Sequence, residues 1–280
     1  MLLAAIARKD PLTTSFSPAD LPTIIGALRA AGCVFAEDEA QLLVTSAQTP
    51  ADLTAMVEQR VAGLPVEQVL GWAEFCGLRV YLDRGVFVPR RRTEFLARIA
   101  ITLGWQAARP GEAVVVLDLC CGSGAVGAAV AAALDSAELH AADVDPAAVR
   151  CARRNVAAAG GQVYEGDLYE PLPPGLRGRV GVLTANVPYI PTGEIALLPA
   201  EARLHEARAA LDGGGDGLEV LRRVAAGAGE WLAPGGSLLS EVSERQAQAA
   251  REAFSAGGLG SRITVSEDLN ATVVVGTRYR

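Results

Sequence analysis

The run VVVLDLCCGSGAVG, from Val114 to Gly127, decides how this chain folds. Val114-Val115-Val116-Leu117 is continuously apolar, as a strand buried on both faces should be. It ends in Asp118 and turns through Gly122-Ser123-Gly124 into an Ala-rich stretch of helical composition. Glycines at such a turn bring the backbone close to a ligand and leave the amides of a helix N-terminus exposed. Taken alone, the turn fits dinucleotide binding, another nucleoside ligand, or merely a tight strand-to-helix connection.

Downstream the periods alternate. Strands are expected at 138–142, 162–165, 180–185 and 237–242, and helices at 145–159 and 218–232. A further helix then precedes a closing strand pair, 263–266 and 271–276. Alternation at these lengths predicts an α/β domain on a parallel, doubly wound, Rossmann-like sheet. Pro234-Gly235-Gly236 reads as the turn that leads into the 237–242 strand.

Upstream the pattern is helical. Ser17-Pro18 and Thr49-Pro50 each set a capping residue before a proline, and helices are expected over 18–31, 37–47 and 51–62. A hairpin is expected from 78–82 and 86–88 around Asp83-Arg84-Gly85. The expected division is a helical domain over 1–74, a β-hairpin linker over 75–92 and the α/β domain over 93–280. The helical domain either positions a partner or covers the core. Arg90-Arg91-Arg92 reads as a solvated turn, and Thr93 as the start of a helix reaching Gly104.

Composition narrows the classes. The 280 residues suit a core domain with a smaller one beside it. Half of them are hydrophobic, so a sizeable core forms, and a net charge of −7 argues against tracking nucleic acid by charge alone. Five cysteines and two histidines show no zinc-site spacing, and reduced thiols in a cytoplasmic protein are expected. The opening MLLAAIARKD is too short for a signal h-region, and the apolar stretch 125–134 is too short to span a bilayer, which takes about 20 residues. No metal and no membrane association is expected.

Three strand ends carry the ligand chemistry. Asp118 and the turn Cys120, Cys121, Gly122, Ser123 and Gly124 follow the first strand. Asp143 ends the second, where a carboxylate can accept both ribose hydroxyls of an adenosine, while Asp145-Pro146 caps the next helix. Gly166-Asp167-Leu168 follows the third, placed to meet an adenine ring. Together they form a nucleoside cradle. The fourth strand runs into Asn186-Val187-Pro188-Tyr189.

Asn186-Val187-Pro188-Tyr189 resembles the Asn-Pro-Pro-Tyr signature of methyltransferases acting on conjugated nitrogens. The resemblance implies a nitrogen that is a poor nucleophile because its lone pair is delocalised, so that acceptors holding its two N–H groups and aiming it supply most of the rate. Beyond that motif, the chain resembles the release-factor glutamine methyltransferases, the HemK/PrmC family. The resemblance extends through Gly63-Leu64-Pro65-Val66-Glu67, through Phe87-Val88-Pro89-Arg90-Arg91-Arg92-Thr93-Glu94, and through His205 to Leu218. It implies a seven-stranded class I methyltransferase domain behind a helical substrate-recognition domain. It implies S-adenosylmethionine contacts at Cys120 to Gly124, Asp143, Leu168 and Asn186. It implies substrate contacts at Asn186, Val187, Pro188 and Tyr189, with Asn186, Pro188 and Tyr189 catalytic.

The family's acceptors for the amide are the Asn side-chain oxygen and the backbone carbonyl of the next residue, here Val187. The implied partner is a peptide-chain release factor, methylated in its Gly-Gly-Gln motif. Another protein glutamine and an adenine amino group in nucleic acid are the alternatives, and a binding protein without activity is a further one.

Three positions depart from the family pattern: Val187 and Arg91 replace prolines, and Cys120 replaces a glycine. Cys121 and Cys151 read as small packing residues, and His205 as a loop residue beside the acceptor. Trp72, Trp105 and Trp231 read as packing anchors near helix ends.

Overall fold

A computed structural model describes residues 20–279. The expected cap at Ser17-Pro18 and the MLLAAIARKD opening lie outside the described residues. The chain divides into two compact units, Met1–Leu70 and Gly71–Arg280.

The first unit is helical: α1 (Asp20–Ala30), α2 (Ala36–Ser46), α3 (Pro50–Val61) and α4 (Val66–Leu70). The Thr49 side chain accepts from the Asp52 N–H at the start of α3, with Pro50 at its first position. Leu28, Ala36, Ala40, Leu43, Leu53 and Met56 make its core. Within it, buried Glu39 on α2 takes two bonds from Arg60 on α3, at 2.6 and 3.1 Å, and Arg60 also donates to the Leu64 carbonyl.

The second unit opens with a hairpin, but not the expected one. β1 (Trp72–Phe75) pairs with β2 (Leu78–Tyr81) around Cys76-Gly77, whose φ angles are +50° and +74°. Positive φ at both turn residues suits the twist of a tight hairpin. The expected partner run 86–88 forms no ladder. Val86 and Val88 are buried with Leu82, Ala148 and Cys151, so apolarity there serves packing and not strand pairing.

Then follow α5 (Glu94–Ala107), β3 (Val114–Leu119), α6 (Ala125–Ala133), β4 (Ala137–Asp143), α7 (Pro146–Val156), β5 (Gln162–Glu165) and β6 (Val180–Ala185). α8 (Ala200–His205), α9 (Glu219–Trp231), β7 (Leu232–Val242), α10 (Ala247–Ala256), β8 (Leu259–Ser266) and β9 (Ala271–Arg278) complete the unit. β7 starts five residues earlier than expected, and Pro234-Gly235-Gly236 falls where its register with β6 shifts, so it is a bulge and not a turn.

The seven-stranded sheet has the order β5-β4-β3-β6-β7-β9-β8. It is mixed, not wholly parallel: β3 to β7 run parallel, whereas β9 is antiparallel to both β7 and β8. One face packs on α9 and α10 through Leu221, Val224, Trp231 and Phe254. The other packs on α5, α6 and α7 through Leu96, Ala129, Val149 and Val156. β3 is the centre, and the chain leaves it first toward β4 and later toward β6. Such a switch point opens a crevice at the carboxyl ends of the strands.

Removing one partner of a buried ion pair leaves the other charged and unsolvated. Glu39→Ala should therefore lower the stability of the helical unit by about 3 kcal/mol, read as a shifted transition in urea unfolding followed by circular dichroism. An unmoved transition would show the pair to be energetically idle.

Candidate active site

The turn after β3 is held in shape by carboxyl groups. Gly124, at φ +78°, caps α6 in the left-handed region, and an added Cβ would sit 3.1 Å from Ala152 on α7. Cys120 adopts φ +52°, so the position where the family has glycine takes a side chain in the same left-handed region. Asp143, at the tip of β4, accepts from the Gly122 N–H at 2.8 Å and from the Asp145 N–H at 2.9 Å. Asp145 caps α7, accepting from Ala147 at 2.8 Å, as expected of it. Asn155 of α7 donates to the Ser123 carbonyl and to the Tyr81 carbonyl, joining turn and hairpin.

Asp118 lies inward of the turn. Its oxygens accept from the Thr184 hydroxyl on β6 at 2.8 Å and from the Gly127 N–H on α6 at 2.9 Å. Burial pushes its pKa up to about 7, against the pull of those two bonds. Burial likewise raises Asp143, opposed by the amides of Asp145 and Gly122. It also pushes the Cys120 and Cys121 thiols up, so both stay protonated packing groups and not nucleophiles. Cys151 is wholly buried and its thiol is raised for the same reason.

The β5 end joins them. The Gly166 N–H donates to the Asp143 carbonyl, and Leu168 is buried at φ +50°. The Asp167 carboxylate points elsewhere, pairing with Arg223 of α9 at 2.5 Å. Asp143, Leu168 and the Cys120–Gly124 turn therefore share one edge of the sheet, while Asp118 braces it from below.

Asn186 follows β6 on that edge. Its Oδ1 is buried and has no hydrogen-bond partner among the described residues. Val187 and Pro188 are buried after it. The Tyr189 hydroxyl lies 2.5 Å from an Arg92 nitrogen that donates to it, and itself donates to Glu241 Oε1 at 3.1 Å. Burial first, then the Glu241 charge, pushes its pKa up to about 12, so the ring keeps its proton.

The stretch after α8 braces this loop from outside. Ile190 N–H donates to Leu211, Gly213 N–H donates to Ile190, and Gln246 Nε2 donates to the carbonyls of Tyr189 and Asp216. Gly217, at φ +79°, approaches so closely that a Cβ would lie 2.4 Å from the Tyr189 carbonyl oxygen. Packing thus replaces the fixed φ that a proline at position 187 would have supplied.

The arginine triplet is not a solvated turn. Arg90 makes two bonds to Glu206, at 2.6 and 2.7 Å, and Glu206 also accepts from Val88 N–H. Burial raises Glu206, with Arg90 opposing. Arg92 Nε donates to Glu241 at 2.8 Å, and Arg91 is exposed. Sequence reading missed Arg90, Arg92, Glu206, Glu241 and Gln246, because each finds its partner across a long stretch of chain. His205 ends α8 and is not in a loop. Trp231 is buried and stacks on Tyr169, as an anchor would; Trp105 donates to Ala133 but is largely exposed and so is no packing anchor; Trp72 follows the end of α4 by two residues and begins β1, beneath Arg79.

The Methyltransferase small domain family matches residues 106–226. The release factor glutamine methyltransferase of Geobacter sulfurreducens is 36% identical over 234 residues, covering 82% of this chain and 79% of that protein. The chain belongs to the release factor glutamine methyltransferase family. The Mycolicibacterium smegmatis member is 35% identical over 238 residues, 83% of this chain and 82% of its own. A further relative, the 4-amino-L-phenylalanine/4-methylamino-L-phenylalanine methyltransferase of Streptomyces pristinaespiralis, is 36% identical over 203 residues, 72% of this chain and 69% of its own.

Among solved structures, a methyltransferase from Pyrococcus furiosus superposes with a TM-score of 0.53 at 16% identity, over 82% of this chain and all of that one. The N-terminal domain of human METTL16, solved with SAH, gives 0.52 at 13%, over 81% and 84%. The fold is that of the class I methyltransferases. Among the described residues, no helix is long and apolar enough to cross a membrane, and no three His, Cys, Asp or Glu side chains gather in a group that could hold a metal ion.

Asp118 has a testable pH signature. Its folded pKa lies above its unfolded one, so between about pH 4 and 7 the folded chain binds more protons, and stability from this group falls as pH rises. Asp118→Asn can keep both bonds, accepting from Gly127 and donating to the Thr184 hydroxyl. Relative to the parent, the variant should gain about 2 kcal/mol between pH 5 and pH 8, measured by urea unfolding at both. A constant difference would mean that Asp118 is ionised throughout.

Proposed function

We propose that this protein transfers a methyl group from S-adenosylmethionine to the side-chain amide nitrogen of a glutamine in a peptide-chain release factor, in its Gly-Gly-Gln motif. The observation that carries the reading is the buried, unpartnered Oδ1 of Asn186 at the carboxyl end of β6, beside the turn that follows β3.

The residues present fit the cofactor. The left-handed Cys120–Gly124 turn keeps backbone at the surface of the crevice, and an added Cβ at Gly122 would meet open space. Asp143 retains lone pairs beyond its two amide bonds and would take the ribose hydroxyls. Leu168 would cover the adenine, with Asp167 at the rim. S-adenosylmethionine brings a methyl already on a cationic sulfur, activated without a metal.

The chain's own groups then do the positioning. Asn186 Oδ1 accepts one N–H of the glutamine amide and the Val187 carbonyl the other, which fixes a planar nitrogen of low nucleophilicity. Pro188 and the Tyr189 ring pack against the flat amide. The proton leaves after transfer, so no strong base is needed. The helical unit exposes Val34 and Phe35 and offers them to the protein partner. A release factor as partner places the reaction in the cytoplasm.

A second acceptor class has an observation in its favour. The relative from Streptomyces pristinaespiralis is named for a ring-conjugated amine. The same clamp would hold its two N–H groups.

Purified release factor, incubated with enzyme and labelled cofactor, should carry label on the Gly-Gly-Gln glutamine, located by mass spectrometry. Label on 4-aminophenylalanine with none on any release-factor glutamine would transfer the conclusion to the second class. Asn186→Ala should lower kcat by ~10² or more, as loss of one positioning acceptor does, with S-adenosylhomocysteine affinity kept. Asp143→Ala should behave the other way, weakening cofactor binding by about 1.5–3 kcal/mol in calorimetry. Unaltered affinity there would misplace the ribose.

A further inference from the structure

Three buried side-chain oxygens lack a hydrogen-bond partner among the described residues: Thr93 Oγ1, Asn186 Oδ1 and Glu241 Oε2. An unpartnered buried acceptor is costly, so such atoms concentrate where function needs them. Asn186 is already used. Glu241 belongs to the same corner: Thr184 on β6 pairs with Leu239 on β7 at the end of their ladder, Asn186 and Glu241 each follow two residues on, and Glu241 accepts from Tyr189 of the Asn186 loop. The Ser240 hydroxyl donates to the Ala185 carbonyl at 2.7 Å, keeping the strands together up to that point.

The two oxygens of Glu241 have different work. Oε1 takes Arg92 Nε and the Tyr189 hydroxyl, and so joins the arginine triplet to the motif tyrosine. Oε2 has neither, although the Glu241 side chain is only 2% exposed. Arg92 offsets the charge from one side alone.

We propose that Glu241 is a substrate-binding residue whose Oε2 accepts a main-chain N–H of the segment carrying the acceptor amide. This rests on the functional reading above, in which both amide hydrogens are held by Asn186 and Val187. A third acceptor at the same corner then meets the donor that an extended peptide offers next, its backbone. A charged acceptor makes that bond short and strong. It also favours a peptide over a ligand with no further N–H.

Glu241→Gln separates this role from a structural one. Its amide oxygen keeps the bonds to Arg92 and Tyr189, and its NH2 puts a donor where Oε2 was. KM for the release-factor substrate should rise about 10-fold, the loss of one charge-assisted bond. Kd for a Gly-Gly-Gln peptide on enzyme loaded with S-adenosylhomocysteine should rise equally. Melting temperature and affinity for S-adenosylhomocysteine should stay at parental values.

A variant with parental KM and peptide Kd overturns the proposal. So does one whose melting temperature falls while its peptide affinity holds. An independent measurement alters the peptide, replacing each main-chain N–H in turn by an ester oxygen. One ester should cost about 10-fold in the parent and nothing in Glu241→Gln, whereas a uniform response along the peptide overturns the assignment. If the parent labels no release-factor glutamine, the functional reading fails instead, and the same comparison is run on the N–H acceptor that the label identifies.

Discussion

The carboxyl group of Asp118 is the joint on which the rest of the site turns. It sits at the end of the central strand, wholly inside the protein, and ties β3 to β6 through Thr184 and to α6 through Gly127. Those bonds set the distance between the two halves of the sheet at the point where the chain reverses direction. The glycine turn that follows β3 and the Asn186 loop that follows β6 are placed by the same group. A misplacement of an ångström at such a joint is felt at both ends of the reaction.

Around that joint the two sides of the crevice are built differently. The side proposed for the cofactor is local: Cys120 to Gly124, Asp143 to Asp145 and Gly166 to Leu168 are short stretches, each read directly from strand-end chemistry. The acceptor side is assembled from distant pieces. Arg92 reaches Glu241, Arg90 reaches Glu206, and Gln246 reaches Tyr189, each over dozens of residues or more. A positive charge for each buried carboxylate is what makes its burial tolerable. The two ion pairs fix the start of α5 against the ends of β7 and α8.

This contrast explains what the sequence disclosed. Strand periods, the Gly122-Ser123-Gly124 turn, the Asp145-Pro146 cap and the Asn186 motif all lie within windows of a few residues, where spacing and geometry are one thing. The hairpin was misplaced because Asp83-Arg84-Gly85 carries turn chemistry, while Cys76-Gly77, with one unusual turn residue, makes the turn. The arginine triplet reads as solvated because the carboxylates that pair with it, Glu206 and Glu241, lie 116 and 149 residues further along the chain. The antiparallel β9 was foreshadowed by a closing strand pair, but its insertion between β7 and β8 is a matter of sheet order, which no local pattern encodes.

That insertion has a consequence for how the protein comes into being. β9 follows β8 in the chain yet lies inside it in the sheet, so β7 has a bare flank until residues 271–278 leave the ribosome. Until then the strand bearing Glu241 is an open edge, able to pair with a neighbouring nascent chain. The flank of the strand bearing Glu241 is thus closed by the last strand of the sheet in chain order.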